Sequence, residues 1–349
     1  MTSNHSRVQS ARATLVYGLL FLLIFVAGLS LALETSKPHW RDPEFGHRID
    51  RLNEIKKEHP SITFVLALGT SRTQNAIHPS SMGFLDEAGS MQMFNFGQSG
   101  SSPLKVLLTF RRILDEGIRP SAIIVEVLPV WLTLGGAAEV QFREMIPQLS
   151  HADLRYLAPY CDCPEELYER WLSARAAPWH AQRISLVSHW LPKWMPWQSR
   201  INFQWQSMDR DGFVPFLYSD PPPEFRSQAI ARTHEQYEGS FRGFWPSAMS
   251  LRALKDLVDL CRSQDIPIAF IVPPVAPTFR NWFAPVAWSA GETHLLALSQ
   301  ELGVGLFSSP QEFTDNDFAD GHHMLRKSAQ SYSRWLADTH LRAWCSRKR

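Results

Sequence analysis

Continuous apolar runs separated by helical segments constrain the fold of this chain more than any other feature. Ile62–Leu68 (ITFVLAL) and Ala122–Leu128 (AIIVEVL) are rich in β-branched residues and do not alternate with polar ones. Such runs are typical of strands that are buried on both faces of a parallel sheet. Both end in a turn signal, Gly69 after the first run and Pro129 after the second.

Further strands and helices follow the same rhythm along the chain. Shorter strands are predicted over Met91–Phe96, Ile266–Val272 and Val304–Phe307. Apolar residues at helical spacing predict helices over Pro43–Glu58, Leu104–Asp115, Leu251–Arg262, His294–Leu302 and about Leu325–Ala343. Alternating strands and helices predict an α/β fold in which helices cover both faces of a parallel sheet.

The N-terminal region carries a separate signal. Ala13–Leu33 contains no charged residue and is close to the ~20 residues that a helix needs to cross a bilayer. Arg7 and Arg12 precede it, and no acidic residue does. The positive-inside tendency then predicts a cytoplasmic N-terminus over residues 1–12 and a single-pass signal anchor in the inner, cytoplasmic membrane.

The remainder of the chain is expected on the periplasmic or extracellular side of that membrane. A cleaved signal peptide is the alternative, because Ser30-Leu31-Ala32 resembles a small-x-small cleavage site. Residues 34–60 are predicted to link the apolar stretch to one folded domain over residues 61–349. A Pro-, Arg- and Trp-rich block at about 135–245 breaks the strand–helix alternation and is interpreted as a helical insertion.

Composition narrows the class of function. The chain carries 35 Lys and Arg against 34 Asp and Glu, which argues against a nucleic-acid partner. Its 4 cysteines lack the neighbouring ligands of a zinc site, so structural or free thiols are favoured over a metal site. Neither a metal nor a cofactor is expected.

Three polar clusters follow predicted strands or precede the last helix: Gly69–Arg72, Gly97–Gly100 and Asp320–His323. In open α/β sheets, ligand sites lie at the carboxyl ends of the strands. A hydrolytic serine needs a base, and the base needs an orienting acid. These clusters supply Ser71 as nucleophile, His323 as base and Asp320 as the acid. Ser71 as a simple helix N-cap is the alternative.

The remaining candidates surround this set. Gly97 suits an oxyanion hole because its N–H can approach a developing charge closely, and the Ser71 N–H is a second donor. Gln98 is a candidate for a further contact to substrate. Arg72 is assigned either to an anionic group of the substrate or to a structural ion pair, for which Glu126 at a strand end is a partner.

With these motifs in this order, the chain resembles the SGNH/GDSL hydrolase superfamily. Gly69-Thr70-Ser71-Arg72, the Gly97 turn and Asp320-x-x-His323 carry the resemblance. More narrowly, it is similar to the membrane-anchored SGNH-like proteins of bacterial envelope polymer acylation, the DltD-like and alginate O-acetylation proteins. The resemblance covers about residues 60–132 and 250–345.

This resemblance implies a flavodoxin-like three-layer sandwich and an acyl-enzyme on a Ser–Asp–His triad. It also implies a carbohydrate polymer as substrate and, in several such systems, a membrane-bound O-acyltransferase as partner. One departure is that no Asn follows the third strand, where the family places an oxyanion donor. Gln98, Ser99 and Asn75 are the possible substitutes.

Two alternatives to an envelope acyl-transfer enzyme stay open. The missing Asn is compatible with a catalytically degenerate domain that binds polysaccharide or scaffolds an acyltransferase complex. A plain esterase that prefers long apolar acyl chains is the other.

Overall fold

The computed structural model describes residues 2–35, 40–133, 142–196, 204–309 and 313–347. The chain divides into two compact units. One comprises Met1–Pro43 and Ile146–Pro196, and the other comprises Glu44–Met145 and Trp197–Arg349. The predicted linker and insertion therefore contribute to both units. Residues 36–39, 135–141 and 197–203 of those predicted segments lie outside the described residues.

A five-stranded, all-parallel sheet forms the centre of the larger unit, with the strand order β2-β1-β3-β4-β5. Its strands are β1 (Thr63–Leu68), β2 (Met91–Asn95), β3 (Ala122–Glu126), β4 (Ile268–Val272) and β5 (Gly305–Ser308). This is the order of doubly wound, flavodoxin-like sheets. The predicted α/β class with a parallel sheet is confirmed.

The helices of the larger unit connect and cover the strands. They are α2 (Pro43–Glu58), α3 (Ser71–Ala76), α4 (Pro103–Asp115), α9 (Pro223–Tyr237), α10 (Ala248–Ser263), α11 (Pro277–Asn281), α12 (Pro285–Glu301), α13 (Arg326–Leu336) and α14 (Arg342–Arg347), with a π-helical turn at Ala337–Leu341 before α14. Helix α4 packs on α10 and α3 packs on α13, which fits a three-layer α/β fold.

The strand boundaries follow from local chemistry. Every residue of β3 is buried, as is all of β1 except Thr63, which explains the continuous apolar runs in both. The fourth strand begins at Ile268 rather than Ile266, because Pro267 has no N–H for the ladder and offers only its carbonyl, to Ile123.

The smaller unit combines the N-terminal helix with four later helices. These are α1 (Thr2–Thr35), α5 (His151–Leu157), α6 (Pro164–Ala176), α7 (Pro178–Ala181) and α8 (Arg183–Trp190). Within α1, Ser10–Thr35 contains an 18-residue window with a mean hydropathy of 2.5 and is the single stretch among the described residues that is long and apolar enough to cross a membrane. A signal sequence has the same properties.

Short 3₁₀ helices complete the described backbone at Pro79–Ser81, Pro129–Trp131, Ile146–Gln148, Ala158–Tyr160, Pro192–Trp194, Gln204–Ser207, Glu238–Ser240 and Asp315–Asp317. The 4 cysteines, all within the described ranges, form no disulfide with one another.

Candidate active site

The turn after β1 places a serine hydroxyl at the carboxyl end of the sheet. The strand ends at Leu68, and α3 begins at Ser71. Thr70 is the N-cap, and its hydroxyl accepts a hydrogen bond from the Arg72 N–H at 3.1 Å. Ser71 is therefore not needed as the cap of this helix. Its side chain remains half-buried and available for chemistry.

A continuous hydrogen-bonded relay joins the three residues that the sequence picked out as a triad. Ser71 Oγ lies 2.7 Å from Nε2 of His323, and Nδ1 of the same ring lies 2.7 Å from Oδ2 of Asp320. Asp320 Oδ1 also accepts the backbone N–H of His323 at 3.0 Å, which fixes the carboxylate relative to the ring. The three side chains therefore meet although Ser71 and His323 are 252 positions apart.

A tight turn makes the Asp-x-x-His spacing work. The Ala319 N–H donates to the carbonyl of His323 at 2.9 Å, and Phe318 pairs with Met324 across the turn. Gly321 has a φ of +98°, a region that L-residues rarely adopt. Because the segment folds back on itself, the Asp320 carboxylate lies within hydrogen-bonding distance of the His323 imidazole.

The electrostatics of Asp320 suit an orienting acid. Its burial by itself favours the neutral form, but the neighbouring His323 and His322 and the hydrogen bonds from His323 outweigh that effect and hold the pKa of Asp320 well below its usual range. An ionised carboxylate at this position stabilises an imidazolium on His323.

The second histidine of the segment has a different environment. His322 is buried, and its ring centroid lies 5.5 Å from those of Tyr237 and Phe279. Burial, followed by the charge of His323, lowers the pKa of His322 well below its usual value. A neutral ring in an aromatic enclosure fits a packing role and not that of the proton acceptor.

Glu126, at the end of the neighbouring strand β3, stabilises the turn after β1 that carries Ser71. Its fully buried carboxylate accepts hydrogen bonds from Thr70 N, Thr70 Oγ1, Arg72 Nε, Thr73 N and Thr73 Oγ1, at distances between 2.6 and 3.2 Å. Its burial favours protonation, but the Arg72 charge and these donors outweigh burial, so the pKa of Glu126 is lowered. Residues on both sides of Ser71 are thus tied to β3.

The predicted substrate contact at Arg72 is instead a structural ion pair. Its Nε lies 2.6 Å from Glu126 Oε1, its Nη1 donates to the Tyr237 hydroxyl at 3.3 Å, and its side chain is only 3% exposed. The alternative that paired Arg72 with Glu126 is the one observed.

Gly97 and Gln98 follow β2 as expected, but both are engaged elsewhere. The Gly97 N–H donates to Asn95 Oδ1 at 2.9 Å, while the Asn95 amide donates to the carbonyls of Thr73, Gln74 and Ile77. Gln98 Oε1 accepts from Thr109, and its Nε2 has no partner among the described residues.

An added Cβ at Gly97 would lie 2.5 Å from Gln74 N and 2.9 Å from Thr70 O. Close packing against α3 therefore accounts for this glycine. In the part of the chain that the structure describes, no acceptor engages the Ser71 N–H, which leaves it available to a developing oxyanion.

The one group of potential metal ligands coincides with the relay in the described ranges. Donor atoms of Asp320, His322 and His323 all lie within 4.8 Å of one another. Both ring nitrogens of His323 are already hydrogen-bonded, so a metal ion would have to displace either Ser71 or Asp320 from that ring. The geometry favours the proton relay.

An aromatic group lies beside His323. Phe216 stacks on His323 with ring centroids 6.0 Å apart and an interplanar angle of 29°. Phe225 lies next to Phe216, and Tyr218 lies 4.7 Å from Phe225. From the sequence, Asp211-Gly212 is interpreted first as a turn, and Met208–Phe216 is a candidate part of an acceptor groove; no sequence signal indicates Tyr218 or Phe225.

Hydrogen bonds to Gln74 and Asn75 of α3 hold this segment at the site. The Val214 N–H donates to the Gln74 carbonyl at 3.3 Å, and the Val214 carbonyl accepts from the Asn75 amide at 2.8 Å. Phe216 then follows within two residues. Asn75, one of the possible substitutes for the missing oxyanion donor, therefore holds this segment in place.

No protein-family model matches the chain, and no curated protein matches its sequence significantly.

Proposed function

We propose that this chain is a membrane-anchored SGNH-type serine esterase or O-acyltransferase that acts on cell-envelope carbohydrate through an acyl-enzyme at Ser71. The observation that carries the proposal is the relay from Ser71 Oγ through His323 to Asp320, with both distances at 2.7 Å. A serine whose hydroxyl contacts an oriented imidazole has the arrangement of an activated nucleophile.

In the first half-reaction, each member of the relay has a separate role. Ser71 Oγ attacks the ester carbonyl while its proton passes to His323 Nε2, and Asp320 stabilises the resulting imidazolium. The Ser71 N–H donates to the oxyanion. Collapse of the tetrahedral intermediate breaks the ester bond, His323 protonates the departing alkoxide, and the acyl group remains on Ser71.

The second half-reaction decides between hydrolysis and transfer. His323 removes a proton from water or from a sugar hydroxyl, the oxygen attacks the acyl carbonyl, and Ser71 leaves with the proton returned by His323. Water gives a free acid and a sugar hydroxyl gives a new ester. The chemistry of the triad is the same in both cases, so the acceptor site sets the outcome.

The aromatic residues beside His323 support a carbohydrate acceptor. Tyr218 and Phe225 are partly buried around the buried Phe216, and this face adjoins the base that must deprotonate the acceptor. An aromatic face combined with a phenol hydroxyl suits a sugar ring, which presents apolar C–H faces and polar edges.

The contacts of α1 support an anchor that is retained. Ser30 Oγ donates to the Arg175 carbonyl at 2.7 Å, and the Glu34 carboxylate lies 3.2 Å from Arg175 Nη2. Cleavage after Ala32 would remove Ser30 from this packing. A retained anchor places the acyl-transfer site near a membrane, where a membrane-bound O-acyltransferase partner would supply the acyl group.

Covalent labelling tests the proposal. The detergent-solubilised full chain should react with a fluorophosphonate probe and hydrolyse p-nitrophenyl acetate, and Ser71→Ala should abolish both. Ser331→Ala is the control, because that hydroxyl is exposed on α13 and bonds only its own helix at the Lys327 carbonyl. Undiminished labelling of Ser71→Ala would exclude Ser71 as the nucleophile. Product analysis with an acetyl ester, with and without an oligosaccharide, then separates transfer from hydrolysis.

A second candidate is a non-catalytic domain that binds polysaccharide. It is favoured by one observation, that the Gly97 N–H is bonded to Asn95 and leaves the oxyanion site with one fewer donor. It predicts glycan binding by the wild-type chain without any labelling at Ser71.

A further inference from the structure

The segment from residue 172 to residue 194 in the smaller unit exposes an unusual number of large apolar side chains. They are Leu172 (57% exposed), Trp179 (42%), Trp190 (53%), Leu191 (46%) and Trp194 (77%). Large apolar side chains exposed this densely along one segment of a folded unit are typical of a surface that another molecule covers.

One face of the apolar helix packs against this segment. Side chains of α1 are exposed from Ser10 to Phe25, but Val26, Leu29 and Ser30 are half-buried and Leu33 is buried, a spacing that selects one helical face. Phe25 itself contacts Trp179, with ring centroids 6.3 Å apart. The contact therefore extends from Phe25 to the end of α1.

The position of this contact along α1 sets its depth in a bilayer. Phe25 lies eight residues before Leu33, the end of the uncharged stretch, which at 1.5 Å per residue is about 12 Å. Half of the hydrocarbon core is about 15 Å thick. If Ala13–Leu33 crosses the membrane, Trp179 lies within the hydrocarbon of the outer leaflet.

A second contact places the other end of the segment nearer the surface. Trp190 packs edge-on against Trp40, with ring centroids 5.2 Å apart, and Trp40 follows the end of the apolar stretch. Trp179 lies in α7, and Trp190 is the last residue of α8. Tryptophan is enriched at the depth of the lipid headgroups, which is where Trp190 and Trp194 would then lie.

Charge is distributed along the sequence as a membrane surface requires. Residues 172–194 contain Arg175, Arg183 and Lys193 but no Asp or Glu, whereas the acidic residues Asp162, Glu165, Glu166 and Glu169 lie just before them. Arg175 is engaged within the unit, where its Nη2 donates to Glu34 and to the Leu149 carbonyl. Arg183 and Lys193 are both exposed, and both have side chains long enough to reach headgroups.

We propose that residues 172–194 form an interfacial segment, seated in the outer leaflet against α1, whose surface is covered by lipid with a preference for anionic headgroups. The combination of tryptophans, basic residues and short helices with internally bonded backbone is that of a monotopic membrane segment. The inference rests on the retained anchor of the proposed function and is independent of the chemistry at Ser71.

Depth-dependent quenching tests this in the full chain. Cys161 and Cys163 are changed to Ser, and an environment-sensitive fluorophore is attached at Leu191→Cys or Trp194→Cys, two positions at which exposure makes disruption of the fold minor. Glu166→Cys, exposed on α6, is the matched control. Each variant is reconstituted in pure lipid vesicles of phosphatidylcholine with or without phosphatidylglycerol and a doxyl-labelled lipid.

Lipid quenching at Leu191→Cys and Trp194→Cys should exceed that at Glu166→Cys by several-fold and should increase with phosphatidylglycerol. Equal quenching at all three positions would overturn the proposal. So would protection from an aqueous quencher that arises only after another membrane protein is added, because the surface would then belong to a protein partner.

Vesicle flotation and probe labelling distinguish this inference from the proposed function. A chain that floats with the vesicles but shows no preferential quenching retains its anchor and lacks the interfacial segment. A chain that does not float has lost both the anchor and the segment. Fluorophosphonate labelling at Ser71 reports on the catalytic proposal separately in every sample.

Discussion

Replacing Glu126 with Gln tests whether the turn after β1, which carries Ser71, depends on a buried charge. The substitution keeps the shape of the side chain but exchanges one acceptor oxygen for an NH₂ group. Glu126 receives donors from Thr70, Arg72 and Thr73 through both of its oxygens. The amide would turn at least one of these contacts into two opposed donors and leave the Arg72 charge without a counterion.

The expected loss of stability is large because both partners are buried. The Arg72 and Glu126 side chains are 3% and 0% exposed, and breaking a buried pair by changing one partner costs about 3–5 kcal/mol. For a unit of this size the midpoint of thermal unfolding should fall by roughly 6–20 °C. Because the pKa of Glu126 is lowered, its contribution is present above the ordinary glutamate pKa of ~4.3 and is lost as the pH falls through the lowered value.

Thermal unfolding of the detergent-solubilised chain at pH 7.5, combined with fluorophosphonate labelling well below the midpoint, measures both effects. Labelling of Glu126→Gln should slow markedly, because Ser71 lies between residues that Glu126 holds. Glu301→Gln is the control: its ion pair with Lys255 is exposed, and exposed pairs contribute about 0.2–1 kcal/mol. The difference from the wild type should narrow in acid.

The reasoning would be refuted by a Glu126→Gln variant that unfolds within ~2 °C of Glu301→Gln and labels at the wild-type rate. That result would mean that the turn after β1 keeps its conformation without the carboxylate. An Arg72→Met, Glu126→Leu double variant gives a further check, since removing both charges should recover part of the lost stability.

Three other outcomes are expected. Asp320→Asn should slow acylation of the enzyme by about ten-thousand-fold, measured by probe labelling well below the unfolding midpoint; a small effect would show that His323 needs no ionised partner. Gly97→Ala should impair labelling because its Cβ would meet α3 at 2.5 Å, whereas Gly239→Ala, which points into open space, should not; equal labelling would contradict the packing role. Burial, with the charge of Asp211, raises the pKa of Asp209 to about 6, so wild-type stability should fall relative to Asp209→Asn as the pH rises from about 4 to 7; parallel midpoints across that range would contradict the shift.

The sequence could predict those parts of the fold that depend on local patterns of residues. The run over Ile62–Leu68 is apolar because β1 is covered on both faces. The burial of this strand can therefore be predicted without knowing which elements pack against it. Asp320 and His323 are three residues apart, and a glycine between them permits the turn that the relay requires. Short-range constraints of this kind leave a trace in the order of residues.

The remaining features arise from contacts that no local pattern encodes. The hydrogen bond from the Gly97 N–H to Asn95 depends on how β2 meets α3, and Asn95 reads only as the last polar residue of a strand. Phe216 reaches His323 because the Val214 backbone pairs with Gln74, a contact between residues 140 positions apart in sequence. The predicted insertion likewise looks uniform in composition, yet its residues are shared between two compact units.

The hydrogen bond between Ser71 and His323 also sets when the proposed nucleophile can be assembled during synthesis of the chain. Its two residues are 252 positions apart, and Glu126, which secures the same turn, is made after Ser71 and before the base. A chain that is still being synthesised, or one truncated before Asp320, therefore contains a serine with neither base nor oriented acid. On the proposed mechanism, Ser71 would therefore become reactive only once the C-terminal segment has been made.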